Sequence, residues 1–175
     1  MKVSEPMKTI ARIAATATTL IVATCASAEP LEIGAAIPAV SQKNHEGKEI
    51  ALAEVGAKGY LLVYFYPKAD TPGCTKQACS IRDAYESLVD KGVKAYGVSL
   101  DKVEDQKAFH EKYKLPFDLI ADADGKIADA FGVPHTGGFA KRQAFLFHEG
   151  KLVWRDLNAS TDQQAADVIK VIETK

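Results

Sequence analysis

The run Leu61-Leu62-Val63-Tyr64-Phe65-Tyr66 is apolar throughout, rich in aromatic and branched side chains, and stopped by Pro67. Such an unbroken run predicts a central strand covered on both faces. From Thr75 to Lys91 the pattern changes: Ala78, Ile81, Tyr85, Leu88 and Val89 recur at three- and four-residue steps. This spacing predicts one amphipathic helix, closed by Gly92. Val93 to Leu100 reads as a second strand, and Asp101 as the cap of a helix reaching about Tyr113. Pro116 to Ala121 is extended, Asp124-Gly125 forms a turn, and a short helix precedes Gly132. Ala144 to His148 and Leu152 to Arg155 flank Glu149-Gly150 as a hairpin. A closing helix runs from Ser160 to Ile172, capped by Ser160 or Thr161. Residues 29 to about 48 hold Gly34, Pro38 and Gly47 and read as turns with short extended pieces. Strand and helix alternate, then a hairpin and a helix close the chain. That order predicts an α/β fold of thioredoxin-like type: a central mixed β-sheet with helices on both faces, in one domain over 29–175.

The first 28 residues follow a different pattern. Lys2, Lys8 and Arg12 make a basic start, Ile13 to Thr24 carries no charge, and Ala26-Ser27-Ala28 supplies small residues before Glu29-Pro30. This is the layout of a secretory signal peptide over 1–28, cleaved after Ala28. Met7 is an alternative start with the same layout behind it. The apolar run falls short of the roughly 20 residues a membrane span needs, so no stable membrane association is expected after cleavage. An uncleaved anchor and an amphipathic targeting sequence are the alternatives. Cys25 follows Val22-Ala23-Thr24, a poor context for lipid attachment. The expected location is periplasmic or secreted.

Composition adds little beyond class. The chain of 175 residues is 47% hydrophobic and 26% charged, as soluble globular proteins are. A formal net charge of -1 gives no electrostatic reason to expect nucleic acid as a partner. Cleavage would remove three of the 22 basic residues and one of the 23 acidic ones, and one of the three cysteines, Cys25. Cys74 and Cys79 would remain. Two cysteines in an exported chain could be a structural disulfide, but their context argues for chemistry.

That context is the segment from Pro67 to Cys79, which joins the buried strand to a helix. Pro72 and Gly73 shape the turn, so Cys74 falls in the first helical turn, where free backbone N–H groups and the helix dipole favour an anion. A cysteine so placed has a larger thiolate fraction, and the thiolate is the nucleophile. Thr71 stands three residues earlier, its hydroxyl within reach of the sulfur or a substrate oxygen. Five residues of helix separate two Cα atoms by about 8 to 9 Å, whereas a disulfide needs them within about 7 Å. Cys74 and Cys79 therefore pair only if the helix start unwinds.

Thr71-Pro72-Gly73-Cys74-Thr75, with Pro67 before it and Cys79 after it, resembles the active-site segment of peroxiredoxins. The Cys-x4-Cys spacing is similar to that of the peroxiredoxin Q or bacterioferritin-comigratory group, and the likeness runs from Gly34 through the closing helix. It includes Lys141-Arg142-Gln143-Ala144-Phe145, where the family carries its active-site arginine. The resemblance implies a thiol peroxidase for hydrogen peroxide and organic hydroperoxides. Cys74 would be the peroxidatic cysteine and Cys79 the resolving one. Thr71 and Arg142 would hold and polarise the peroxide, and Pro67 would shield the sulfur from water. It implies a monomer recycled by a thioredoxin-like dithiol, with no cofactor and no metal. Ala144 and Phe147-His148 depart from residues common in the family without touching the signature.

Two other readings share these residues. A periplasmic thiol–disulfide oxidoreductase would use Cys-x-x-Cys, which is absent. An inactive disulfide-stabilised binding domain would have no need of Thr71, Cys74 and Arg142 together. His45, His110, His135 and His148 are widely spaced, lack a metal-ligand pattern and read as solvated. His135 lies on the glycine-rich stretch before Arg142, and Trp154 reads as hairpin packing.

Overall fold

The structure is a computed structural model that describes residues 29–174. The signal-peptide reading of 1–28 lies outside the described residues. The apolar run predicted as a central strand is β3, Tyr60–Phe65. It sits in the middle of a five-stranded sheet, between β4 (Val93–Ser99) and β8 (Gln143–His148). The outer strands are β5 (Asp118–Ala121) beside β4 and β9 (Lys151–Asp156) beside β8. Pairing is parallel from β3 through β4 to β5 and antiparallel from β3 through β8 to β9, so the sheet is mixed.

Alternation along β3 sends successive side chains to opposite faces. Leu62, Tyr64 and Tyr66 pack against α2 (Pro72–Asp83), α3 (Tyr85–Asp90), α4 (Val103–Tyr113) and α6 (Gln164–Glu173), meeting Ala78, Ile81, Leu88, Phe109 and Val168. Leu61, Val63 and Phe65 pack against α1 (Leu52–Val55) and α5 (Lys126–Phe131) through Leu52, Ile127 and Phe131. Every β3 side chain from Leu61 to Phe65 is 0% exposed, which is why the strand is apolar on both faces. A separate hairpin of β1 (Ser41–Lys43) and β2 (Glu49–Ala51) precedes the sheet. Its turn reaches β5, where the His45 N–H donates to the Leu119 carbonyl. No helix among the described residues is long and apolar enough to cross a membrane.

Four local expectations are corrected. The single helix expected from Thr75 to Lys91 bends at Ala84 (φ -98, ψ 5), separating α2 from α3. Beyond the bend, Tyr85 lies against Phe117 with ring centroids 5.6 Å apart and Leu88 is buried, so α3 follows the sheet rather than the axis of α2. Asp101 does not cap α4, whose N-cap is Lys102. Its carboxylate instead accepts from the Ser99 hydroxyl (2.7 Å) and the Ala69 N–H (2.7 Å), tying two loops together. α6 starts at Gln164, not Ser160; the Ser160 hydroxyl accepts from the N–H groups of Asp162 and Gln163, which turns the chain ahead of the helix. The glycine-rich stretch before Arg142 is a small hairpin, β6 (His135–Thr136) with β7 (Phe139–Ala140). Gly137 and Gly138 both have positive φ (60 and 84), as a two-residue hairpin turn of this twist requires.

Phe65, Phe131, Phe145 and Phe147 form an edge-to-face cluster with centroids 5.3 to 5.9 Å apart on the α5 face. Phe131 touches all three others. Truncating it should cost the most there: Phe131→Ala is expected to lower stability by about 3–5 kcal/mol, read as a lower urea midpoint at unchanged m-value.

Candidate active site

The loop from Pro67 to Thr71 carries the chain from β3 to α2, and each of its turns is held. Asp101 accepts from Ala69 N–H and pairs with Lys68 at 3.1 Å. Asp70 adopts the left-handed region (φ 58), kept there by Lys112 and Tyr113 of α4, both at 2.7 Å. Thr71 is extended (φ -90, ψ 154), as a residue before proline prefers, and Pro72 opens the helix with its φ already suited to it. Cys74 is the third helical residue, where backbone N–H groups still lack intrahelical partners. It is 2% exposed.

Arg142 reaches Cys74 from the opposite strand. Phe65 pairs with Gln143, so Arg142 enters β8 beside the residues that follow β3. Its backbone is fixed on both sides: the Arg142 carbonyl accepts from Ala159 N–H, and Lys141 N–H donates to the Pro134 carbonyl. The guanidinium then divides its donors. Nη2 points at the Cys74 sulfur at 3.5 Å, and Nη1 donates to Oε1 of Gln77, one helical turn beyond Cys74. Gln77 is fully buried, and its Nε2 donates to Oε1 of Gln164 on α6 at 2.5 Å. A Cβ on Gly73 would lie 3.3 Å from Arg142 Nη2, so glycine lets the guanidinium cross the first turn of α2 closely. A fixed cation and a helix N-terminus thus converge on one buried sulfur.

Below the sulfur the surroundings are neutral. Burial pushes the Tyr64 hydroxyl well above the usual phenol range, with Tyr66 and Cys74 adding to the effect. Burial also raises Tyr66, against the pull of its Ser99 and Gln106 hydrogen bonds. Neither phenol carries charge that would compete for Arg142. Pro67 is half-buried and shares a shallow cavity of ≈ 300 Å³ with Pro134, Phe139, Ala140 and Lys141.

A family model for the AhpC/TSA family matches residues 33–155. The chain belongs to the AhpC/TSA family. Among curated relatives, the chloroplastic peroxiredoxin Q of Sedum lineare is 45% identical over 122 residues, covering 69% of this chain and 65% of the relative. That of Suaeda salsa is 39% identical over 122 residues, covering 69% and 56%. The chain thus matches less than two thirds of the length of these relatives. Among solved structures, the peroxidoxin BcpB of Mycobacterium tuberculosis superposes with a TM-score of 0.77 at 27% identity, over 82% of this chain and 97% of that one. The thioredoxin-like peroxiredoxin fold expected from the sequence is the fold observed.

Within this AhpC/TSA fold, two of the five singled-out residues are brought into contact, Cys74 and Arg142. The Thr71 hydroxyl donates to the Lys68 carbonyl at 3.0 Å. Cys79 lies on the same unbroken helix as Cys74, partly exposed, and both thiols are free. Helix geometry holds their Cα atoms about 8 to 9 Å apart. Gln77 was missed in the sequence, although it sits three residues after Cys74 and so on the same helix face; Gln164 carried no signal at all. The histidines are not uniformly solvated: His45 is 5% exposed and stacks on His110 at 3.7 Å, and burial, with His45, lowers the His110 pKa. Among the described residues no three side chains group as metal ligands.

The close approach at Gly73 makes a test of the cation's role. Gly73→Ala should push the guanidinium off the sulfur by a few tenths of an ångström without unfolding α2. Alkylation of Cys74 by iodoacetamide at neutral pH should slow by about three- to tenfold, or ~1 kcal/mol, with Arg142→Ala slower still.

Proposed function

We propose that this AhpC/TSA chain is a thiol peroxidase that reduces hydrogen peroxide and organic hydroperoxides at Cys74 and closes its cycle through Cys79. The observation that carries the reading is Arg142 Nη2 at 3.5 Å from a buried sulfur in the first turn of a helix. The names of the relatives support it, and so does the bacterioferritin comigratory protein of Xanthomonas campestris, a protein with alkyl peroxide reduction activity (TM-score 0.73, 27% identity, 82% of this chain and 96% of that one).

The Cys74 thiolate attacks the nearer oxygen of the peroxide, and the O–O bond breaks. Cys74 becomes a sulfenic acid, and the departing oxygen takes a proton to leave as water or alcohol. Arg142 stabilises both the attacking thiolate and the charge growing on the departing oxygen. Thr71 supplies a second donor by turning its hydroxyl from the Lys68 carbonyl toward the peroxide, and Pro67 keeps bulk water from the sulfur. The start of α2 then unwinds, and the Cys79 thiol condenses with the sulfenic acid, forming the disulfide and releasing water. An external dithiol of thioredoxin type returns both thiols by exchange. The leader over 1–28 sends the enzyme, working as a monomer, to the periplasm or outside, where that dithiol is a resident of the same compartment.

Peroxide consumption with dithiothreitol, run beside insulin reduction, tests the reading. Wild type should consume peroxide and reduce insulin no faster than dithiothreitol alone. Cys74→Ser should fall to the no-enzyme rate with unchanged far-UV circular dichroism. Given peroxide without dithiothreitol, Cys79→Ser should retain the first turnover, accumulate Cys74 sulfenic acid, and overoxidise more readily because no second thiol competes. Full turnover in Cys74→Ser would sink the proposal, and insulin reduction without peroxide consumption would favour a disulfide oxidoreductase.

A further inference from the structure

The chain of contacts that ends on the sulfur begins on another helix. Arg142 is steered by Gln77 Oε1, and Gln77 presents its oxygen only because its Nε2 is taken by Gln164 Oε1 at 2.5 Å. An amide is two-faced: rotated by half a turn, Gln77 would offer Arg142 a donor in place of an acceptor and repel the guanidinium. Gln164 is the partner that fixes the choice. It is the first residue of α6 and 2% exposed.

Gln164 is also an uneconomical residue for its site. Its own Nε2 is buried and finds no acceptor among the described residues. A buried polar group left half satisfied weakens a fold unless it serves something else. Its surroundings are apolar, with Ala165 and Val168 of α6 in the same core as Ala78 and Ile81 of α2. A methionine of similar length would fill the place and remove this orphaned donor, but it would leave the buried Gln77 Nε2 without its acceptor, so the glutamine's worth lies in what it does for Gln77.

We propose that Gln164 is a positioning residue for the Cys74 site: it orients Gln77, through Gln77 it holds Arg142 against the sulfur, and it also fastens α2 in the helical form that keeps Cys79 away. The inference rests on the peroxidase reading only for its second half. The two effects have opposite signs for a peroxidase cycle. The Gln77–Gln164 bond favours attack by Cys74, yet Gln77 lies between the two cysteines on α2, so unwinding that joins Cys74 to Cys79 must break the bond. Neighbouring contacts act in the same place, Lys76 with Asp162 at 2.6 Å and the Ser80 hydroxyl with the Asp162 carbonyl at 3.1 Å, but these are exposed and weak. The buried amide pair is the part of the clasp that is linked to the sulfur.

The test compares Gln164→Met, which removes the acceptor, with Gln164→Glu, which keeps it at a helix N-terminus where a carboxylate is favoured. Gln164→Met should keep the fold by far-UV circular dichroism, alkylate Cys74 with iodoacetamide several-fold more slowly, and form the Cys74–Cys79 disulfide faster after a single peroxide addition. Gln164→Glu should recover most of the alkylation rate. A methionine variant with wild-type alkylation would overturn the positioning role, as would a lowered Tm with reactivity unchanged, the mark of a merely structural residue. If the methionine variant does not fold, the wild-type protein decides by NMR. The Gln77 side-chain amide hydrogens should exchange slowly in the reduced form and fast in the disulfide form, and fast exchange in the reduced form would refute the clasp. Alkylation needs no peroxide, so a wild type that consumes no peroxide would remove the proposed function and leave the positioning result standing.

Discussion

The pairing of β3 with β8 is the constraint on which the site depends. Cys74 arrives at the end of β3 on a new helix, and Arg142 arrives at the start of β8, far away in sequence. They meet because the two strands run antiparallel with Phe65 opposite Gln143. A slip of one residue would turn every β8 side chain to the other face of the sheet, breaking the Phe65–Phe145 contact on one side and misplacing Arg142 on the other. Burial of the phenylalanine cluster therefore fixes the register, and the register delivers the cation to the sulfur.

A second network holds the other half of the site. Asp101 leaves its expected place as a helix cap and grips Ala69 and Lys68, while Lys112 and Tyr113 hold Asp70 in the left-handed region. The parallel strand order puts the ends of β3 and β4 side by side, so the loop after one can be clamped by the loop after the other. The precysteine loop is thus rigid from below. The start of α2 is held through Cys74, Gln77 and Ala78, all buried, with the Gln77–Gln164 pair tying it to α6.

Much of this was legible in the chain itself. The strand from Leu61 to Tyr66, the helix that carries both cysteines, and the hairpin around Glu149-Gly150 follow from periodicity and turn residues, because those elements are governed by local burial. The segment around Cys74 and the Arg142 position were legible through a specific motif. What escaped was tertiary. The bend at Ala84 arises from Tyr85 meeting Phe117, and Asp101 is drawn from its cap by a loop 32 residues earlier. Gln164 gains meaning only from Gln77, 87 residues away. The hairpin at Gly137-Gly138 is the exception, since a glycine pair between short extended segments is a local signal of a two-residue turn.

The most direct measurement is peptide mapping by mass spectrometry of the wild-type protein after one equivalent of hydrogen peroxide, with hydrogen exchange over α2 before and after. A Cys74–Cys79 disulfide should form within one chain, with faster exchange across residues 73–82 than in the reduced protein, since the bond cannot form on an intact helix. A Cys74 that remains a free thiol would rule out the peroxidase cycle, and a Cys74–Cys79 disulfide formed with the protection of α2 unchanged would rule out unwinding as its route.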